Sequence, residues 1–127
     1  MPFTHTLNFF ATKDLEAADK FYGGVLGLPL AVDTGTARLY RVTGTSLFGV
    51  TANQGRVPAP GGAILELVCS SAGEVHDWHR KINAAGYATD GPVRKGTLGG
   101  VTLFFATGPD DYQIEILHFD DPKAAGL

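Results

Sequence analysis

The alternation of apolar and polar positions in the first half of the chain predicts one strand, one helix and then three more strands. Phe3–Ala11 is rich in Thr, Phe and Leu and has no breaker, which is typical of a strand. Asp14 can cap a helix over about Leu15–Val25, whose apolar residues fall on one helical face. Turns containing Gly35 and Gly44 then separate three short strands, predicted at Leu30–Asp33, Ala37–Thr43 and Ser46–Thr51.

The second half of the chain repeats this order. Ala63–Val68 is an apolar strand, and Ser71 and Glu74 have the spacing of a capping box. The helix that they begin is expected to stop at Gly86. Three strands are predicted after it, at Tyr87–Asp90, Val101–Ala106 and Tyr112–Phe119.

A repeat with a period of about 60 residues indicates duplication of one unit. We therefore predict an α+β fold of two strand–helix–strand–strand–strand modules, at about 1–53 and 62–120, joined by a Pro- and Gly-rich linker at about 54–61. Each helix can cover one face of its sheet, and the other face still needs a cover. Two such sheets together would make a concave cleft, the kind of place where small molecules bind.

Composition narrows the classes of function. The chain has 127 residues, 44% of them hydrophobic, which suits a single globular domain. The net charge is −3 and the ten Lys and Arg residues are scattered, so a nucleic-acid partner is not expected. No apolar run is long enough for a membrane span. The start of the chain has no signal-peptide pattern and Cys69 is the only cysteine, so we predict a reduced, cytoplasmic protein.

Two segments resemble a known family. The run Asp-Leu-Glu-Ala-Ala-Asp-Lys-Phe-Tyr at 14–22, followed by Val25-Leu26-Gly27-Leu28, is similar to the first-helix signature of the vicinal oxygen chelate superfamily, which includes glyoxalase I, bleomycin resistance proteins and extradiol dioxygenases. Residues 109–116, Pro-Asp-Asp-Tyr-Gln-Ile-Glu-Ile, resemble its closing turn and strand. The resemblance implies paired βαβββ modules, a small-molecule ligand and often a homodimer. In some members a divalent metal binds vicinal oxygens.

The resemblance also implies where metal ligands would lie, on the first and last strands of each module. Glu115 matches one ligand position, whereas Leu7 occupies another, with His5 two residues earlier on the same strand face. The remaining two positions fall on Gly49 or Phe48, and on Ala63 or Ile64. We therefore expect no intact four-ligand metal site and no cofactor. A rearranged divalent site that uses His5 and Glu115, with Glu66 as a further ligand, stays open.

Two carboxylates are candidates for catalysis. Glu115 would face the cleft as general base or ligand anchor, and Glu66 interrupts an otherwise apolar strand. The alternative is that Glu115 binds backbone or an arginine and Glu66 lies at an exposed edge.

The residues predicted to line the pocket and bind substrate are His5, Leu7, Phe9, Arg38, Tyr40, Phe48 and Phe104. The alternative for the aromatic residues is core packing, and for Arg38 a surface ion pair. The glycine-rich range 96–100 is expected to form a loop at the pocket mouth.

Three functions remain open at this point. The first is a metal-free binding protein similar to the bleomycin resistance proteins, which sequester a drug by aromatic stacking and acidic residues. The second is a glyoxalase- or dioxygenase-like enzyme with a divalent ion held by His5 and Glu115. The third is a metal-free isomerase, cyclase or lyase in which Glu115 or Glu66 moves a proton next to a carbonyl.

Overall fold

A computed structural model describes residues 2–53, 55–96, 100–121, 123 and 126. The chain divides into two compact units, Met1–Ala59 and Pro60–Leu127, and each contains one four-stranded mixed sheet. The predicted loop at 96–100 lies in part outside the described residues, at 97–99. No helix in the described ranges has the length and apolar character needed to cross a membrane.

The first module follows the predicted element order. Strand β1 (Thr6–Ala11) is parallel to β4 (Ser46–Thr51), and β3 (Ala37–Thr43) runs antiparallel between β4 and β2 (Leu30–Asp33), so the sheet order is β1-β4-β3-β2. Helix α1 (Leu15–Asp19) continues without interruption as a π-helical segment, Lys20–Val25.

Local side-chain chemistry sets both ends of this first helix. Asp14 has an extended backbone, and its carboxylate accepts the backbone N–H groups of Glu16 at 3.0 Å and Ala17 at 3.1 Å. These are donors that an uncapped helix would leave without partners. At the other end Gly27 takes a positive φ of 69°, a conformation that glycine adopts without strain and that ends the helix.

The second module has the same order with one difference. Strand β5 (Ile64–Val68) is parallel to β8 (Gln113–Phe119), and β7 (Val101–Thr107) lies between β8 and the short β6 (Arg94–Lys95). Helix α2 (Ala72–Ala84) begins at Ser71, whose hydroxyl accepts the Glu74 N–H, as the capping-box spacing predicted.

The prediction of a strand at Tyr87–Asp90 was wrong. Within that range only Thr89 forms an isolated bridge, to Ala106, and the edge strand is β6 instead. The Asp90 carboxylate accepts the Phe105 N–H at 3.0 Å, so a side chain takes the place of a backbone carbonyl there. Gly91, with a φ of 130°, and Pro92 then turn the chain before pairing resumes.

Each sheet has one face against its own helix, and this division decides which side chains a ligand can reach. In the first module Tyr22 lies against Phe48, with ring centroids 4.8 Å apart. In the second module Phe104 packs edge-on against His79 of α2, with centroids 4.9 Å apart. Because side chains alternate along a strand, the neighbours of these residues point to the opposite face, away from the helix. The α+β class and the repeated modules that we predicted are therefore confirmed.

The Asp14 cap supports a testable prediction. We expect D14A to lower the free energy of unfolding by about 1 kcal/mol, because two helical N–H groups lose their acceptor. D14N is the matched control, since an asparagine oxygen can replace the carboxylate and should retain most of the stability. Urea unfolding followed by circular dichroism measures both variants. Equal losses in D14A and D14N would contradict the capping role.

Candidate functional site

Two glutamates lie side by side on the face of the second sheet that is turned away from its helix. The parallel pairing of β5 with β8 places Glu66 directly opposite Glu115. Ile114 and Ile116, which flank Glu115, are 0% and 1% exposed on the helix side. Since these two isoleucines belong to the core, alternation directs Glu115 to the other face, together with Glu66.

Apolar side chains surround this carboxyl pair and form a cavity. Its volume is about 400 Å³, within the range of roughly 300–1,000 Å³ typical of small-molecule pockets. The lining residues, besides the two glutamates, are Gly96, Val101, Leu103, Phe105, Leu117 and Phe119. Few polar groups in an otherwise apolar wall are the usual composition of a site for a small organic molecule.

The environment of Glu115 changes its acidity. Glu115 is only 7% exposed, and this burial, followed by hydrogen bonding to Glu66 and the Glu66 charge, raises the pKa of Glu115 to about 7. Arg94 opposes the shift and Asp90 adds slightly to it. Near neutral pH part of Glu115 is therefore protonated, so its carboxyl group can donate as well as accept hydrogen bonds.

Arg94 and Asp90 form a second polar element on the same sheet. The two terminal nitrogens of Arg94 donate to the two Asp90 oxygens at 3.0 and 2.6 Å, a forked arrangement. The Arg94 guanidinium is the main reason that the pKa of Asp90 is lowered. Because Arg94 and Asp90 neutralise each other, the net charge of the site comes chiefly from Glu66 and Glu115.

Sequence reasoning did not find Arg94 and Asp90, nor the apolar walls at Leu103, Phe105 and Leu117. A signal for the walls was present, because these three residues share the strand face of Glu115 through alternation along β7 and β8. No comparable signal existed for Arg94, which acts on the charge of Glu115 and is placed by the turn that precedes β6.

In the first module the structure places Leu7 and Phe9 on the sheet face that is turned away from the helix. They are 41% and 45% exposed, and the Phe9 ring lies directly over Gly49. His5 precedes β1 and is exposed. These three residues are accessible, and their role in binding substrate stays a prediction.

The structure corrects the orientation predicted for four other residues. Tyr40 and Phe48 are 0% and 1% exposed on the helix side, and the Tyr40 hydroxyl donates to Asp19 at 2.6 Å. Arg38 donates to Glu16 at 2.6 Å, and Phe104 is fully buried under α2. The side chains of these four residues contact the core and the helix. They do so because side chains alternate along a strand, and these residues lie on the face opposite to the one that is open.

The residues present do not fit the divalent metal that the resemblance implies in some relatives. Across the described ranges no three or more His, Cys, Asp or Glu side chains lie close enough together to hold a metal ion. Open metal sites usually have about three protein ligands. The register also places Glu66, and neither Ala63 nor Ile64, opposite Glu115. This strand position therefore carries a carboxylate where an apolar residue was expected.

Comparisons with known proteins give a consistent fold. A search of curated protein sequences gives no significant match. Among solved structures, a glyoxalase/bleomycin resistance protein from Albidiferax ferrireducens superposes with a TM-score of 0.73 at 26% identity, covering 91% of this chain and 97% of that one. A glyoxalase-related enzyme from Fulvimarina pelagi gives a TM-score of 0.77 at 22% identity, over 92% of this chain and 87% of that one.

A third similar structure is a lactoylglutathione lyase from Agrobacterium tumefaciens, with a TM-score of 0.73 at 17% identity over 92% of this chain and 95% of that one. Likeness at such low identity establishes the fold and not the reaction. The sequence profile of the family itself matches residues 3–116, which is most of the chain. The chain therefore belongs to the Glyoxalase/Bleomycin resistance protein/Dioxygenase superfamily.

Proposed function

We propose that this protein binds a small organic molecule in the second module, with the apolar part of the ligand in the cavity and a cationic or hydrogen-bond-donating group on Glu66 and Glu115. The observation that carries the proposal is the carboxyl pair set in register within an apolar cavity of about 400 Å³. Binding is the function that this arrangement supports best, because it needs nothing beyond the groups present.

The charge of the site favours an amine among such ligands. The carboxyl pair is acidic, since only the protonated fraction of Glu115 reduces its negative charge near neutral pH, and the Arg94–Asp90 ion pair adds no net charge. A protonated amine replaces the proton that the two glutamates share and gains charge-assisted hydrogen bonds, which are stronger than neutral ones. Phe105 and Phe119 offer apolar surface for a ring attached to the amine.

Binding without a metal is part of the proposal. Glu66 and Glu115 are two ligands where about three are needed, and the Arg94 guanidinium lies near enough to act on the charge of Glu115. At the ligand positions implied by the resemblance, Leu7 and Gly49 carry no donor side chain. The predicted homodimer and the cytoplasmic location stay predictions.

A second candidate function is proton transfer. A carboxyl group with a pKa near 7 is matched to general acid–base work at neutral pH, and the pKa of Glu115 is raised to about 7. In an isomerase or lyase reaction the Glu115 carboxylate would accept a proton from the carbon next to a carbonyl group. Glu66 would then stabilise the protonated Glu115 by accepting its hydrogen bond. Turnover of a carbonyl compound that is abolished by E115Q while binding persists would favour this candidate.

Metal content tests the metal-free part of the proposal. We expect protein purified without chelators to contain far less than one equivalent of zinc, nickel, iron or manganese by mass spectrometric elemental analysis. The matched variant is H5A, which removes the histidine of the alternative rearranged site. A stoichiometric metal that is lost in both H5A and E115Q would contradict the proposal and support the metal-dependent enzyme.

The acidity of Glu115 gives a prediction with a definite sign. Carbon-detected NMR of the side-chain carboxyl should show Glu115 titrating near pH 7. E66Q should lower the pKa of Glu115, because it removes a negative charge and a proton acceptor, whereas R94Q should raise it. Since the raised pKa favours the protonated folded form, this contribution to stability is present at about pH 4.5 and is lost as the pH rises through 7. A Glu115 that titrates near 4.5, or that E66Q makes less acidic, would contradict this account.

Benzylamine is a suitable probe for binding at the carboxyl pair. We expect saturable NMR shifts at the amides of Phe105, Glu115 and Leu117, and an increase of about tenfold in Kd for E115Q, since a hydrogen bond to a charged group contributes roughly 1.5–3 kcal/mol. D77N is the matched control, because it removes one negative charge from the exposed side of α2. Benzyl alcohol should bind more weakly than benzylamine. Equal effects of D77N and E115Q, or no saturable shifts, would overturn the proposal.

A further inference from the structure

A smaller cavity lies on the open face of the first module. Its volume is about 160 Å³, and it is lined by Phe9, Ala37, Thr51, Asn53 and Arg56. Its floor exists because Ala37 lies opposite Thr51 in the β3–β4 register, and both side chains are short. Neither Glu66 nor Glu115 lines this cavity, so a ligand here would be recognised by other residues.

The Phe9 ring forms one wall, and Gly49 gives it a fixed place. A Cβ atom at Gly49 would lie only 2.4 Å from Phe9 Cε1 and 2.7 Å from Cδ1, so the ring occupies the space where a side chain would be. Phe9 is nonetheless 45% exposed. The ring is thus held against the strand while part of its surface remains available to a ligand, and a flat apolar group is the natural partner for such a surface.

The opposite wall is polar and donates hydrogen bonds. Thr51 is 5% exposed, and its hydroxyl oxygen accepts the Asn53 N–H at 3.3 Å. A hydroxyl used as an acceptor keeps its own proton for another acceptor. The buried Thr51 hydroxyl and the side-chain amide of Asn53 are therefore available donors for an oxygen atom placed in the cavity.

Arg56 supplies the charge of this cavity. Its backbone N–H donates to the Asn53 carbonyl at 3.2 Å, which closes the turn and brings the side chain to the cavity. Arg38, Arg80 and Arg94 each have a carboxylate partner. Within the described part of the chain the Arg56 guanidinium has no such ion pair. A guanidinium in this position can take both oxygens of a carboxylate at once.

From this geometry we propose that the cavity of Phe9, Thr51 and Arg56 is a second binding site, and that it takes a small, flat carboxylate. The carboxylate lies on the Arg56 guanidinium and the Thr51 hydroxyl, and the ring of the ligand lies along Phe9. A volume of about 160 Å³ is below the usual size of drug pockets, so the occupant has about one ring. Benzoate has this shape and charge.

The test is a titration with benzoate followed by amide shifts of Thr51 and Asn53. Wild-type protein should show saturable shifts, and R56Q should raise the Kd for benzoate by about tenfold. R56K should raise it less, because lysine retains the charge without the fork. The matched control is R41Q, which removes the same charge from β3, where Arg41 donates to the Gly44 carbonyl. R41Q should leave the Kd unchanged.

A second pair of measurements separates the ring from the charge. Benzoate should bind more tightly than acetate to the wild type, and F9L should reduce that preference while leaving acetate binding unchanged. Equal effects of R56Q and R41Q, no saturable shifts with benzoate, or an unchanged preference in F9L would overturn this second site. Since these residues and the probe differ from those of the carboxyl pair, each proposal can fail without the other.

Discussion

The alternation of side chains across strand β8 is the constraint on which the candidate site depends. Ile114 and Ile116 are buried in the core beneath α2, so the chain cannot turn Glu115 inward without exposing them. Fully burying an isoleucine is favourable by about 1.5–3 kcal/mol, and two of them hold the register firmly. Glu115 is thereby held on the opposite face, where the parallel neighbour β5 presents Glu66. The place of the carboxyl pair therefore follows from the packing of residues on the opposite face of the sheet.

The acidity of Glu115 follows mainly from its burial. Removal from water disfavours the ionised form of the Glu115 carboxyl group, and the hydrogen bond to Glu66 and the negative charge of Glu66 add to this effect. Together these causes raise the pKa of Glu115 to about 7. Arg94 contributes in the other direction and keeps the anionic form accessible.

Most of the strands and both helices were predictable because their signals are local. The Asp14 cap, the Ser71 capping box and the apolar periods depend on residues close together in the chain, and the structure contains those elements. The strand at Tyr87–Asp90 was not found, because the Asp90 side chain there replaces a ladder hydrogen bond, which no local pattern reveals.

Strand faces were predicted less well than the strands themselves. Tyr40 and Phe48 were assigned to the pocket because aromatic side chains suit ligands. Aromatic side chains are equally suited to the core, and the helix covers the sheet face on which these two residues lie. Counting along each strand from a residue known to face the helix would have placed Tyr40 and Phe48 on the correct face. The pairing of Glu66 with Glu115 needed more, since it depends on the register between strands almost fifty residues apart.

The two modules use the same fold to present opposite chemistry. On the helix side both sheets carry aromatic and aliphatic residues, since each must bury a helix there to be stable. On the other side the second module carries the Glu66–Glu115 pair, whereas the first carries Leu7, Phe9 and, in the turn that follows β4, Arg56. The helix of each module packs on the other face of the sheet, so the open faces can differ in charge and shape while the helix packing stays the same. A duplicated unit can therefore come to favour a cation in one copy and an anion in the other while both copies retain one architecture.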